Sequence, residues 1–138
     1  MPHRTHTIAV ETAGPGMHEL TAEIAAWIAT TGVTTGLLTA LCRHTSASLT
    51  INENAASAVQ RDLVAWLDRV APESGIYEHD SEGPDDMPAH LKAALTGVSL
   101  AIPVEEGTMM LGTWQGVFLI EHRSAPHTRS IALHLAGE

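Results

Sequence analysis

After Gly97 the hydrophobic period switches to two. Val98, Leu100, Ile102 and Val104 alternate onto one face, the pattern of a half-buried strand. Glu105-Glu106-Gly107 is a turn, and Thr108 to Trp114, Val117 to Arg123 and Arg129 to Leu135 read as three further strands. Strands joined by connections this short pair antiparallel, because a parallel pair needs a long crossover. The closing strands read as an antiparallel meander.

The first part of the chain is mixed. Thr7 to Thr12 alternates as a strand, and Ala13-Gly14-Pro15-Gly16 is a turn. From Met17 the pattern becomes helical, with Leu20, Ile24, Trp27 and Ile28 on one stripe and Gly32 as the residue that ends it. Val33 to His44 reads as a strand that puts Leu38, Ala40, Cys42 and His44 on one face, and Ser48 to Asn52 continues as another. A second helix follows a cap at Asn54, with Val59, Leu63, Trp66, Leu67 and Val70 as its apolar stripe. A third, short helix starts at Asp86 with Pro88 in its first turn. There is no regular βαβ alternation. The expected fold is α+β, one domain spanning residues 1–138, with mainly antiparallel sheets and two to three helices packed on one side.

Composition bounds the function. The net charge is −9, from 7 basic and 16 acidic residues, which argues against nucleic acid and anionic membrane surfaces as partners. The single cysteine, Cys42, excludes an internal disulfide and a multi-cysteine zinc site. Apolar runs such as Val117 to Ile120 are too short to span a bilayer, and the first residues lack a signal-peptide core. A cytoplasmic protein is expected.

The negative charge is concentrated. Glu78, Asp80, Glu82, Asp85 and Asp86 fall within nine positions, flanked by His79 and His90. Such a segment repels itself unless a divalent cation, an arginine pair or solvent answers it. His79 lies in this loop, and His90 follows in the second turn of the short helix, where the positive helix end favours the neutral imidazole that binds metal. His44, at the end of an apolar strand face, is the candidate third ligand. Three histidines with an open position form a known catalytic zinc arrangement. His3, His6, His18, His127 and His134 read as surface groups. Glu53 is a candidate base or ligand, or else an exposed carboxylate near a helix start. Thr45 and Ser46 offer hydroxyls and loop N–H groups for a phosphate, or they cap a bulge. Gln115, between Gly112 and Gly116 beside Trp114, is suited to reading a ligand edge, with a tight bend and Trp114 in the core as the plainer alternative. Arg129 is a candidate anion ligand or an ion-pair partner. Glu121-His122-Arg123 reads as a solvated strand end.

Taken together, His44-Thr45-Ser46-Ala47-Ser48-Leu49, Asn52-Glu53-Asn54, Tyr77-Glu78-His79-Asp80, Glu82 to His90 and Gly112-Thr113-Trp114-Gln115-Gly116 resemble the YjbQ family, also called UPF0047. The resemblance implies a small α+β protein that forms homotrimers. It implies a pocket suited to a divalent metal, zinc or magnesium, held by His44, His79 and His90 with Glu53 and Asp80 nearby as catalytic carboxylates. It also suggests a thiamine-phosphate synthase-like activity, joining a pyrimidine methyl diphosphate to a thiazole phosphate with release of diphosphate. A Gly-rich phosphate loop is missing and Lys92 is the sole lysine, so a weak or side activity is expected. The alternatives are a protein that binds or senses a metal or anionic metabolite without turnover, and a trimer whose polar set serves subunit contacts.

Overall fold

The structure is a computed structural model, and it describes residues 2–138. Eight strands and three helices follow one another as β1 (His3–Thr12), β2 (Gly16–Glu19), α1 (Thr21–Thr31), β3 (Gly36–Cys42), β4 (Ala47–Glu53), α2 (Ser57–Val70), α3 (Asp86–Thr96), β5 (Ser99–Glu105), β6 (Thr108–Met109), β7 (Gln115–Glu121) and β8 (His127–Gly137). They form a five-stranded sheet in the order β1-β8-β3-β5-β6 and a three-stranded sheet in the order β2-β7-β4. Every pairing is antiparallel. The expected α+β class is the observed one.

The two sheets share a core. Ile8 of β1, Leu38 and Ala40 of β3, Ile102 and Val104 of β5, and Ile131, Leu133 and Leu135 of β8 project from the five-stranded sheet. Leu49, Val117 and Leu119 meet them from the three-stranded sheet, and Ile24 and Ile28 of α1 close one end. Period-two alternation accounts for all of these strand positions. In β7 the run Gly116–Glu121 is buried without alternation. Its even-numbered side chains face away from the shared core, and Ile120 lies against Val64 and Leu67 of α2. A strand covered on both faces reads as a continuous apolar run, and β7 is such a strand. The outer face of the five-stranded sheet carries no helix, and Leu37 and Leu41 of β3 stand 46% and 43% exposed on it. No helix among the described residues is long and apolar enough to cross a membrane.

Several local expectations are corrected. Met17 lies in β2, not in a helix, because residues 16–19 pair with Phe118–Glu121 of β7; the helix starts at Thr21. Of the α2 stripe only Leu67 is buried, while Trp66 and Val70 stand 44% and 51% exposed. Asn54 does not cap α2. Its side-chain amide donates to Glu19, and Glu53 Oε2 accepts from the Ala56 N–H at the helix start instead, at 3.0 Å. The strand expected over Thr108–Trp114 stops at Met109, and Trp114 is 64% exposed rather than in the core.

Candidate metal centre

Helix α3 begins in the acidic loop, and its first residue is the hub of the site. Asp86 is only 5% exposed. His90 lies one turn on, and i,i+4 side chains share a helix face. His90 Nε2 is 3.2 Å from Asp86 Oδ2, and His79 Nε2 reaches the same oxygen from the loop at 2.9 Å. The ligand atoms of His79, Asp86 and His90 all lie within 4.8 Å of one another. The rings of the two histidines are tilted by 52° with centroids 5.6 Å apart. They converge on one point rather than stacking.

The other oxygen of Asp86 is held from behind. Arg123, just past β7, donates Nη1–H to Asp86 Oδ1 and Nε–H to Asp85 Oδ2, each at 2.9 Å, and Nη2–H to the Glu82 carbonyl at 3.1 Å. The Ser124 N–H adds a bond to Asp85 Oδ2 at 2.8 Å. This planar fork answers the crowded negative charge of the loop and fixes the orientation of Asp86. Burial alone would raise the Asp86 pKa. The hydrogen bond from His79 and the charges of His90 and Arg123 outweigh it and hold the carboxyl below its ordinary range.

One contact has a chemical consequence. His90 Nδ1 is 2.9 Å from the Thr45 carbonyl oxygen. A carbonyl only accepts, so Nδ1 carries the hydrogen. In neutral His90 the remaining nitrogen, Nε2, is then a bare lone pair aimed at a carboxylate oxygen, with acceptor facing acceptor at 3.2 Å. The contact is satisfied only when a proton or a metal cation lies between them. A histidine whose second nitrogen is fixed by a backbone carbonyl is also the usual arrangement behind a metal ligand.

The donor set of two imidazoles and one carboxylate suits zinc or another borderline divalent ion and not magnesium, which takes oxygen ligands. Beside it opens a cleft of about 440 Å³ lined by His79, Asp80, Tyr77, Glu73, Pro84 and Met87. His79 faces solvent on one side, with its side chain 49% exposed.

The structure redistributes the residues expected in the site. His79 and His90 come together, but Asp86 joins them where His44 was expected. Strand β3 ends at Cys42, so strand alternation does not govern residue 44. The His44 ring turns instead to accept the Ser130 N–H at its Nε2, at 2.7 Å. Burial, and then the positive charge of Arg129, push the His44 pKa down. Thr45 contributes its carbonyl. Ser46 is buried, and its hydroxyl accepts from Arg129 at 3.0 Å. Arg129 is not an anion ligand. It is 3% exposed and forms a two-pronged pair with Glu121, at 2.7 and 2.5 Å. Glu53 and Gln115 pair with each other across β4 and β7, six residues along from Ala47, or roughly 20 Å at the rise of a strand. Gln115 Oε1 accepts the Gly112 N–H at 2.8 Å, which closes the turn that presents Trp114. Asp80 is exposed at the cleft.

Two parts of the site carried weak signals in the sequence. Asp86 looks like a helix cap, although the Asp86–His90 spacing already places both on one face. Arg123 lies in the segment expected to be a solvated strand end. In the structure Glu121 and His122 of that segment are buried, at 1% and 4% exposed. His122 Nε2 lies 2.8 Å from the Ser48 hydroxyl, which is 2.5 Å from that of Thr96. Burial foremost, and then the charge of Lys92, lower the His122 pKa to about 4.

Known proteins share this fold. The family model for the UPF0047 protein YjbQ-like group matches residues 6–138. A UPF0047 protein of Synechocystis is 48% identical over 132 residues, covering 95% of this chain and 90% of its own length. The UPF0047 protein YjbQ of Escherichia coli is 44% identical, covering 96% of each chain. A crystal structure of a YjbQ/UPF0047 family protein from Clostridium acetobutylicum superposes with a TM-score of 0.89 at 35% identity, covering 95% of this chain and 99% of that one. These relatives are named for their family and not for a reaction. A match over nearly the whole length, with the same fold at this level of identity, places the chain in the YjbQ-like UPF0047 family.

Proposed function

We propose that the protein binds a divalent metal through His79 Nε2, Asp86 Oδ2 and His90 Nε2, and acts on a small phosphorylated metabolite at the adjoining cleft. The observation that carries this reading is the unmatched pair of acceptors, His90 Nε2 and Asp86 Oδ2, which calls for a cation between them. A bound metal of this kind would supply Lewis-acid charge to oxygens of a departing diphosphate. The chain's own residues do the rest. Arg123 keeps Asp86 aimed and ionised, the Thr45 carbonyl fixes the His90 tautomer, and Asp80 borders the cleft where a proton would be taken up or released. Thiamine-phosphate synthase-like chemistry, suggested by the family resemblance, is the named candidate.

A second reading, binding or sensing without turnover, draws on the cations. Lys92, Arg123 and Arg129 are each paired with a carboxylate. These three cations are already engaged and do not offer themselves to a phosphate, which favours a slow activity or none. The homotrimer belongs to the same proposal. Light scattering of the purified chain tests it, with the mass of a trimer expected and the mass of a single chain contradicting it.

The test is elemental analysis of the purified protein and of His79→Ala, His90→Ala and His44→Ala. One equivalent of metal is expected to be lost from the first two variants and kept in the third. Equal metal in all four would sink the site. Long incubation of the metal-loaded protein with the pyrimidine diphosphate and thiazole phosphate then separates the readings. Product that His90→Ala does not form supports the enzyme, and tight binding without product supports the sensor.

A further inference from the structure

We propose a second metal site, at His3 and His134 on the outer face of the five-stranded sheet, which takes a borderline divalent cation such as copper, nickel or zinc. The two residues are brought together by register. His3 pairs with Ala136 and Thr5 with His134, so the histidines are diagonal neighbours on one face, within reach of long side chains. His3 Nδ1 and His134 Nε2 lie 3.0 Å apart, with ring centroids 5.1 Å apart and planes inclined at 35°. The rings are side by side and tilted, with one nitrogen of each turned to the other.

That separation is the bite of a chelating pair. Two imidazole nitrogens at about 2.05 Å from an ion stand about 2.9 Å apart when they bind cis at a right angle, and about 3.3 Å apart at a tetrahedral angle. The observed spacing lies between these values and nearer the first. In the metal-free chain a single shared hydrogen satisfies the contact, since one neutral ring donates and the other accepts. Binding replaces that hydrogen with the cation, so it competes with protons. The cross-strand neighbours Ala136, Thr5 and Thr39 supply no carboxylate. An all-imidazole pair completed by water selects copper, nickel or zinc over magnesium and calcium. The site is independent of the His79–Asp86–His90 centre. It lies on the opposite face of the sheet from the core that the five-stranded and three-stranded sheets share.

The experiment uses the full chain carrying His79→Ala and His90→Ala, so that the first centre is removed, and titrates it calorimetrically with copper(II) chloride. One equivalent is expected to bind. Adding His134→Ala, or separately His3→Ala, is expected to weaken that binding more than tenfold, while His18→Ala leaves it unchanged. All three positions are on the surface, and circular dichroism checks that the fold is kept. Three outcomes overturn the proposal: no copper bound in the background variant, equal binding after His134→Ala, or loss with His3→Ala alone, which would assign the ion to the chain terminus. None of them bears on the His79–Asp86–His90 centre, whose own test uses those ligands.

Discussion

Two arginine–carboxylate clusters take their arginines, Arg123 and Arg129, from neighbouring stretches of the chain, and they are built to opposite ends. Around Glu121 every valence is met. Arg129 grips both oxygens, the Thr12 hydroxyl and the N–H groups of His122 and Arg123 fill the remaining positions, and the pair is almost completely enclosed. Around Asp86 the arrangement is half-finished. Arg123 occupies one oxygen, and the other faces two histidines, one of which, when neutral, presents a lone pair. Both clusters lower the pKa of a carboxyl that burial alone would raise. A saturated network has nothing left to offer a ligand, so the Glu121 cluster is structural. The Asp86 cluster keeps an acceptor pair open beside a cleft, and that is where chemistry can happen.

This contrast can be broken at either end. The largest effect is expected from Glu121→Ala, which strands a buried guanidinium. Losing one partner of a buried pair costs about 3–5 kcal/mol, and chemical denaturation should show it. Removing a ligand of the proposed metal acts on the other cluster. His90→Ala is expected to weaken zinc binding by about a hundredfold or more, while the midpoint of unfolding in the absence of metal shifts little. Arg123→Lys keeps the charge but loses the fork. It should cost about 10–100-fold in zinc affinity, the usual range for an orienting partner, with Arg123→Ala costing more. A stability loss in Arg123→Lys without any change in zinc affinity would make Arg123 a loop clamp only.

His122 adds a pH dependence between the two clusters. Its pKa falls from 6.5 to about 4 on folding. The unfolded chain therefore takes up a proton that the folded chain refuses as pH drops below 6.5. Stability from this residue is complete above pH 6.5 and declines down to about pH 4, by on the order of 3 kcal/mol in all. Unfolding curves of wild type and His122→Gln should converge in slope above that window and differ within it. The smallest effect is expected at the far end of β7. Gln115→Ala removes one hydrogen bond, to the Gly112 N–H, and should cost about 1 kcal/mol with zinc affinity unaltered.

What could be read in advance follows from the range of each interaction. β5 and β8 were legible because alternation is a local property, and β8 obeys it from Arg129 to Leu135. The α1 stripe and its end at Gly32 were legible for the same reason. The expected meander was not, because β7 pairs with β2 and β4 in the other sheet while β8 pairs with β1 and β3. β2 was not, since its four residues are set by pairing with β7, a hundred residues away. The exposed Trp66 and Val70 show that an apolar stripe gives a face but not its cover. In the site, His79 and His90 were legible because the acidic loop needs a counter-charge. Arg123 was not, because its partners lie about forty positions earlier in the chain. Arg129 was legible as a possible ion-pair partner but its carboxylate was not, because Glu121 read as part of a solvated strand end and only the stacking of two sheets brings them together. His44 was misplaced by one physical detail: the strand stops two residues before it.

The proposed centre depends on the state of one imidazole. Nitrogen-15 NMR of His90, recorded before and after one equivalent of zinc is added at neutral pH to a His3→Ala/His134→Ala protein, tests it directly. Nδ1 is expected to stay protonated on the Thr45 carbonyl throughout, and Nε2 to move to the position of a metal-bound nitrogen when zinc is added. A ring whose two nitrogens are unaltered by zinc, or whose hydrogen resides on Nε2 with Nδ1 bare, would contradict the assignment of this centre.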